Sequence, residues 1–406
     1  MAVSTPFARP MYVMLKPAGA ACNLACDYCY YLEKSHLHAP GRQERMVMSD
    51  RLLEQFTEEY IGSQTSPYVL FTWHGGETLL RPISFYERAV ELQQKYAAGR
   101  QIDNCIQTNG TLLNADWCKF FHDHRWLVGL SIDGPEHLHD AYRRNRAGMP
   151  SFRQVMRGVA LLDRYGVEWN ALATVNRLNA DFPVEVYRFF QSIDCRYMQF
   201  TPVVERLLPA GGATRLASRS AGDEAALADF SVLPAQWGRF LCGLFDEWVK
   251  TDVGTRFVQL FDTTLALWAG EAPGLCSMAP VCGQAGVMEY NGDVYSCDHF
   301  VFPEYKLGNL RTEPLASMMY GERQAVFGAA KSATLPAQCR RCRYLFACNG
   351  ECPKNRFAKT ADGEPGLNYL CEGYYAYFAH VAPYMDFMKN ELDHRRPPSN
   401  VMQFRP

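Results

Sequence analysis

The chain has 406 residues, 48% of them hydrophobic, with 41 basic and 43 acidic side chains and a formal net charge of −2. That length holds one large domain or two ordinary ones, each with a real core. The near balance of charge gives nucleic-acid binding no compositional support, and no apolar run of about eighteen residues marks a membrane span.

The start, MAVSTPFARPMYVMLKP, lacks a basic region followed by a long apolar stretch, so no signal peptide is expected and the chain is assigned to the cytoplasm. Short apolar runs then alternate with helical periodicity. YVML (12–15), YVLFTW (68–73), NCIQ (104–107), LVGLSI (127–132), VEWNALATV (167–175) and RYMQFTPV (196–203) predict strands. SDRLLEQFTEEY predicts a helix capped by Ser49, NADWCKFF one capped by Asn114, and SFRQVMRGVALLDRYG one capped by Ser151 and stopped at Gly166. Six near-continuous apolar strands, each followed by a helix, predict an α/β fold with a parallel sheet covered by helices. Six such units are too few for an eight-stranded barrel, so a partial (β/α)6 barrel is expected, with its chemistry at the C-terminal strand ends.

Those ends carry the unusual residues. A triple-cysteine loop follows the first strand, HGGET the second, QTNG closes the third and SIDG the fourth. Each alone is ordinary turn chemistry; four in succession on one edge mark a site. Residues 208–229, LPAGGATRLASRSAGDEAALAD, lose all periodicity and predict a loop or linker. Two helices follow, at 234–250 and about 258–269, and then a cysteine-rich part. The expected domains are a barrel over 8–230, a helical linker over 231–272 and a cysteine-rich domain over 273–395.

Fifteen cysteines, an odd number in a compartment where disulfides are rare, point to metal or redox chemistry. Cys105, Cys118, Cys195 and Cys242 are scattered singly and read as small buried hydrophobes. Cys22-x3-Cys26-x2-Cys29 suits three corners of a cubane iron–sulfur cluster, leaving one iron open to a small molecule. A structural zinc site with a remote fourth ligand is the competing reading; the spacing without a nearby histidine disfavours it. Cys276-x5-Cys282-x14-Cys297, then Cys339-x2-Cys342-x5-Cys348-x3-Cys352 and Cys371, make two complete four-thiolate sites, for which paired zinc ribbons are the alternative.

Cys22-x3-Cys26-x2-Cys29 followed by Tyr30 and Tyr31 resembles the radical S-adenosylmethionine enzymes, whose open iron chelates the cosubstrate and whose reduction releases a 5′-deoxyadenosyl radical. Gly75-Gly76-Glu77 resembles the family segment that receives the methionine amino group. Ser131 and Arg143 fall where the most similar subfamily holds the methionine carboxylate, a role that suits a guanidinium. Arg144 and Arg146 are alternative partners, and a solvated surface charge is the bland reading of Arg143. The later cysteines resemble the SPASM extension, and the resemblance spans roughly residues 10–390. It implies a partial barrel of the radical SAM type followed by a SPASM domain with two auxiliary clusters. Cys276, Cys282, Cys297 and Cys352 would hold the first, and Cys339, Cys342, Cys348 and Cys371 the second. The cofactors implied are three [4Fe-4S] clusters and S-adenosyl-L-methionine. Full ligation of the auxiliary pair suits electron transfer, with a structural role left open.

KPAGAACNLACDYCYYLEK, IQTNGTLL, LVGLSIDGP, GDVYSCDHF and LFACNGECPKNRF resemble the anaerobic sulfatase-maturating enzymes. The resemblance implies oxidation of a cysteine or serine, within Cys/Ser-x-Pro/Ala-x-Arg, to Cα-formylglycine. It makes Asp298 the base and places Tyr31 and His74 in the target pocket; imidazole chemistry alone makes His299 a competing base. The partners implied are an unfolded or nascent sulfatase polypeptide and a flavodoxin or ferredoxin-type electron donor. Many such enzymes have glutamine before GGE and proline after it; here stand His74 and Thr78. His74 either preserves a substrate hydrogen bond or marks another peptide, and a histidine there is expected to titrate near neutral pH. A SPASM enzyme forming thioether or carbon–carbon crosslinks is the rival enzyme. About twenty residues precede Cys22, too few for the extra recognition domain such enzymes often carry. A non-catalytic zinc scaffold is the rival of a different class.

Overall fold

A computed structural model describes residues 10–34, 47–210, 213–218, 221–222 and 224–405. Residues 8 and 9, where the first domain is expected to begin, lie outside them. The chain forms two compact units, each assembled from separate stretches. The first takes the described residues up to Leu130, with Arg143–Trp169 and Gly283–Ala329; the second takes Ser131–Tyr142, Asn170–Cys282 and the chain from Ala330 on.

The six expected strands form as β1 (Tyr12–Lys16), β2 (Tyr68–Trp73), β3 (Gln101–Thr108), β4 (Leu127–Ser131), β5 (Trp169–Val175) and β6 (Tyr197–Pro202). In the first unit β1 to β4 are parallel neighbours in sequence order, with Leu15 opposite Trp73, Trp73 opposite Ile106 and Thr108 opposite Leu130. In the second unit β5 pairs with β6 in parallel, Ala171 opposite Met198. Val13, Leu15, Phe71, Trp73, Ile106, Val128 and Leu130 are fully buried, which is why these strands read as near-continuous apolar runs. Trp73 stacks on Trp126 with ring centroids 6.0 Å apart.

Local capping chemistry sets the helix starts. Ser49 accepts the Leu52 N–H at 3.3 Å to begin the helix Asp50–Gly62, and Asn114 accepts the Trp117 N–H at 2.9 Å to begin Ala115–Asp123. Ser151 behaves otherwise. It precedes the helix Phe152–Arg164 without a side-chain capping bond, and its hydroxyl donates to the Arg143 carbonyl at 2.7 Å.

The stretch expected to be a linker holds a small antiparallel sheet. β7 (Arg206–Ala210) lies between β8 (Ala213–Leu216) and β9 (Ala226–Leu227), with Leu207 opposite both Leu216 and Ala226. These strands are two to five residues long, too short for an alternating apolar face to show, and the backbone ladder defines them. Residues 211, 212, 219, 220 and 223 of this stretch lie outside the described residues.

The helices Pro234–Thr251 and Gln259–Trp268 follow, the latter preceded by β10 (Phe257–Val258), which pairs with β6. Pro234–Thr251 packs closely on the long helix Cys371–Asp393 at two glycines. A Cβ on Gly373 would lie 2.3 Å from the Pro234 carbonyl oxygen, and one on Gly238 3.0 Å from the Gly373 Cα. In the first unit β11 (Ala285–Glu289) joins β1 in parallel with Glu289 opposite Lys16, and β12 (Asp293–Tyr295) and β13 (Lys306–Asn309) follow antiparallel. No described helix is long and apolar enough to cross a membrane.

Candidate active site

β1 ends at Lys16, and the chain leaves the sheet through a turn into the cysteine loop, the Gly19 N–H bonding the Lys16 carbonyl at 3.1 Å. The GGE segment after β2 clamps that loop backbone to backbone. Gly76 N–H donates to the Gly19 carbonyl at 2.8 Å and Glu77 N–H to that of Ala21 at 2.7 Å. A Cβ at Gly76 would stand 2.0 Å from the Ala21 oxygen, so only glycine fits. The buried Glu77 carboxylate accepts from Leu79 N–H at 2.9 Å, Thr108 Oγ1 at 2.6 Å and Asn109 N–H at 2.8 Å. It therefore ties the end of β2 to the end of β3.

Two further segments hold the loop. Asn109 Nδ2 donates to Asn23 at 2.9 Å and approaches Cys22 Sγ at 3.7 Å, where Leu24 N–H also points at 3.4 Å. Ala25 N–H bonds the Arg144 carbonyl at 2.7 Å, and Arg146 Nε the Cys22 carbonyl at 2.9 Å. Arg144 and Arg146 are exposed, whereas Arg143 is only 8% exposed, lies 5.5 Å over the Tyr28 ring and draws the Cys29 thiol pKa down. Arg143 is thus no solvated surface charge. Ser131 ends β4 half-buried, one residue beyond Leu130, and belongs to the second unit. Cys22, Cys26 and Cys29 are half-buried free thiols. Burial, with Glu77 nearby, pushes Cys22 up to about 11, and burial raises Cys29 against the pull of Arg143 and Lys16. N–H groups aimed at sulfur and neighbouring buried cations suit thiolates that give up their protons to a cluster.

Beside the loop lies a buried charged group. Lys16 is fully buried; its Nζ reaches Asp298 Oδ1 at 2.6 Å and His74 Nδ1 at 2.9 Å and lies 4.3 Å over the Tyr31 ring. Asp298 opens the short turn after Cys297, accepts from the Tyr30 hydroxyl, and offers its carbonyl to Lys34 Nζ at 2.9 Å. Burial alone would raise its pKa, but Lys16, His74 and Lys34 hold the carboxyl well below the usual range. Tyr31, also buried, gives its hydroxyl to Glu289 at 2.6 Å. Burial lifts Glu289 to about 7, with Lys16 and Tyr31 pulling the other way. His299 meets the Tyr30 ring edge-on at 5.7 Å. His74 does not titrate near neutral pH: burial and then Lys16 push it down to about 3. Its Nδ1 also accepts the Gly75 N–H at 2.7 Å.

The structure thus gathers the three loop thiols, the GGE segment, Arg143, Tyr31, His74 and Asp298 in one unit. Sequence reasoning assigned no role to Lys16, Tyr30, Lys34 or Glu289. The one available signal was a charged residue ending an otherwise apolar strand, in YVMLK and AGVME.

The later cysteines of the second unit act on one another electrostatically. Cys348, raised to about 12 by burial and then Glu351, also feels Cys371 and Cys339; Cys371, raised to about 11 by burial, feels Cys339 and Cys342. Cys352, only four residues after Cys348, acts with Cys282 on the buried Lys331, and Cys276 acts on Cys282. Lys331 Nζ donates to the carbonyls of Cys276 at 3.0 Å and Ser277 at 2.6 Å. Cys297 follows β12 in the first unit. Among the described residues no group of three His, Cys, Asp or Glu side chains is placed to hold a metal ion. Of the scattered cysteines, Cys118 and Cys195 are buried and Cys105 and Cys242 half-buried.

The radical SAM superfamily model matches residues 17–190, and the model of the SPASM iron-sulfur cluster-binding domain matches 281–343. The chain is 64% identical over 398 residues to a serine-type anaerobic sulfatase-maturating enzyme of Bacteroides thetaiotaomicron, covering 98% of this chain and 96% of that one. It is 30% identical over 388 residues to a cysteine-type anaerobic sulfatase-maturating enzyme of Clostridium perfringens, covering 94% and 99%. Among solved structures, native anSMEcpe with bound AdoMet and Cp18Cys peptide superposes with a TM-score of 0.81 at 30% identity, over 94% of this chain and 99% of that one.

Proposed function

The chain belongs to the anaerobic sulfatase-maturating enzymes of the radical SAM superfamily, and we propose on that basis that it oxidises a serine or cysteine of a sulfatase polypeptide to Cα-formylglycine, with serine preferred. The observation that carries this reading is the buried Asp298 carboxylate, held by Lys16 and Tyr30 beside the clamped cysteine loop. Serine preference is supported by the 64% identity to a serine-type relative.

Cys22, Cys26 and Cys29 would hold one [4Fe-4S] cluster, with S-adenosylmethionine received by the GGE segment, Ser131 and Arg143. Cys276, Cys282, Cys297 and Cys352 would hold a second cluster, and Cys339, Cys342, Cys348 and Cys371 a third. When bound, these groups supply a 5′-deoxyadenosyl radical that removes one Cβ hydrogen and an acceptor for the one electron then lost. The chain's own residues handle the remaining proton. Asp298 takes it from the target hydroxyl or thiol. A carboxylate held this low is a weak base toward a resting alcohol, so proton loss must accompany electron loss, when the hydroxyl becomes far more acidic. A serine then yields the aldehyde directly; a cysteine yields a thioaldehyde that water hydrolyses.

Glu77 acts by orientation, since its carboxylate is engaged inside the protein. Arg143 is placed to pair with the methionine carboxylate. Tyr31 and His74 would line the target pocket. The substrate is an unfolded or nascent sulfatase, and a flavodoxin or ferredoxin supplies the low-potential electron.

Anaerobically reconstituted enzyme, S-adenosylmethionine and reductant would be incubated with a sulfatase peptide carrying Ser-x-Pro-x-Arg and with its cysteine counterpart. The expected result is aldehyde by mass spectrometry with matching 5′-deoxyadenosine, faster from serine. Deoxyadenosine alone, with both peptides intact, would refute the substrate assignment.

A further inference from the structure

We propose that Lys16 is a positioning residue that sets which way the target pocket donates and accepts hydrogen bonds, and thereby its preference for a serine hydroxyl. The inference rests on the maturase reading, in which His74 and Asp298 face the target residue. Lys16 closes β1, fully buried, and an ammonium can only donate. It forms an ion pair with Asp298 Oδ1 at 2.6 Å and donates to His74 Nδ1 at 2.9 Å. The Gly75 amide donates to the same ring nitrogen at 2.7 Å. A nitrogen accepting from donors on both sides carries no proton, so the neutral ring keeps its hydrogen on Nε2.

Nε2 has no hydrogen-bond partner among the described residues. His74 therefore presents an N–H donor, as a glutamine amide would, beside an anionic acceptor in Asp298. A serine hydroxyl both accepts and donates, and so pairs with both groups. A thiol does each weakly and a methyl does neither. Without the ammonium only the Gly75 amide holds the ring against turning or changing tautomer, and the carboxylate keeps only the Tyr30 hydroxyl.

The test is peptide binding to cluster-loaded enzyme with S-adenosylmethionine and no reductant, so that nothing turns over. Fluorescence anisotropy compares peptides carrying serine or alanine at the target. The native enzyme is expected to bind serine about tenfold more tightly than alanine. Lys16→Met should bring that ratio to about one with alanine affinity unchanged, and Lys16→Met/His74→Gln should restore part of it, because an amide donates in any state. An unchanged ratio in Lys16→Met would mean that Gly75 alone sets the ring and would overturn the role of Lys16. Equal weakening of both peptides, or no serine advantage in the native enzyme, would also overturn it. Should Lys16→Met lose its iron, Asp298→Asn is compared with Lys16→Met/Asp298→Asn, in which Asp298 is not left as a charge without its Lys16 partner. The single variant should keep a serine advantage that the double lacks; equal ratios sink the proposal. Failure of the maturase reading is separate, since it shows as native enzyme that makes no aldehyde from the serine peptide.

Discussion

At Asp298 burial and charge pull in opposite directions, and the Lys16 ammonium at 2.6 Å decides the outcome in favour of the carboxylate. Asp298→Asn should lower aldehyde formation by about 100-fold or more while deoxyadenosine continues to form. Parallel loss of both products would instead place Asp298 in cosubstrate binding. Breaking the pair from the other side leaves an uncompensated buried charge. Lys16→Met should cost about 3–5 kcal/mol in denaturant unfolding, with much of it recovered when Asp298→Asn is added. Full additivity of the two changes would argue against a direct pair. Glu289 supplies a pH signature. Its folded pKa, about 7, lies above the ordinary 4.5 because of burial, so the folded state binds the proton more tightly. That contribution to stability is full below about 4.5 and is lost as pH rises through about 7. Glu289→Gln should flatten the melting temperature of the anaerobic holoenzyme across this window; identical slopes would contradict the assignment.

Among the elements, the cysteine loop is shaped less by its own residues than by the three segments that clamp it. Gly76 is the tightest point: a methyl there has no space that the Ala21 backbone does not already fill. Gly76→Ala should weaken the loop cluster selectively, seen as loss of S-adenosylmethionine cleavage with the other iron signals retained. Wild-type cleavage in that variant would show the clamp to be dispensable. Gly62→Ala is the natural control, since nothing lies within 4 Å of the added methyl at that helix end. It should be neutral or stabilise by up to about 1 kcal/mol. Strand register explains the buried charge as well. β1 and β11 end together, so Lys16 and Glu289 emerge side by side where the sheet gives way to the site.

At the scale of the whole molecule, sequence neighbours part and distant residues meet. Cys348 and Cys352 lie within one turn-rich stretch; Cys348 feels the charges of Cys371 and Cys339, and Cys352 acts with Cys282 on Lys331. Cys348→Ala and Cys371→Ala should therefore strip the same iron–sulfur signal in Mössbauer and EPR spectra, and Cys352→Ala should group with Cys276→Ala. Matching spectra for Cys348→Ala and Cys352→Ala would disprove this division. The same interleaving runs through the chain, since each compact unit is built from separate stretches and Gly283–Ala329 returns to the unit holding β1.

The sequence by itself determined the six βα units and the cysteine spacings, because these are local. Apolar runs, caps at Ser49 and Asn114, and thiols on one loop are written within a dozen residues. Glycine at 76 was also legible there, though not its reason, which is the Ala21 backbone of another segment. Only the tertiary structure decided what depends on packing between distant residues. It buried Arg143 and left Arg144 and Arg146 exposed, paired Lys16 with Asp298, and formed strands at Arg206–Ala210, Ala213–Leu216 and Ala226–Leu227. It also made His74 a fixed donor where an isolated imidazole would titrate, since desolvation and a buried ammonium act only once the chain has folded around them.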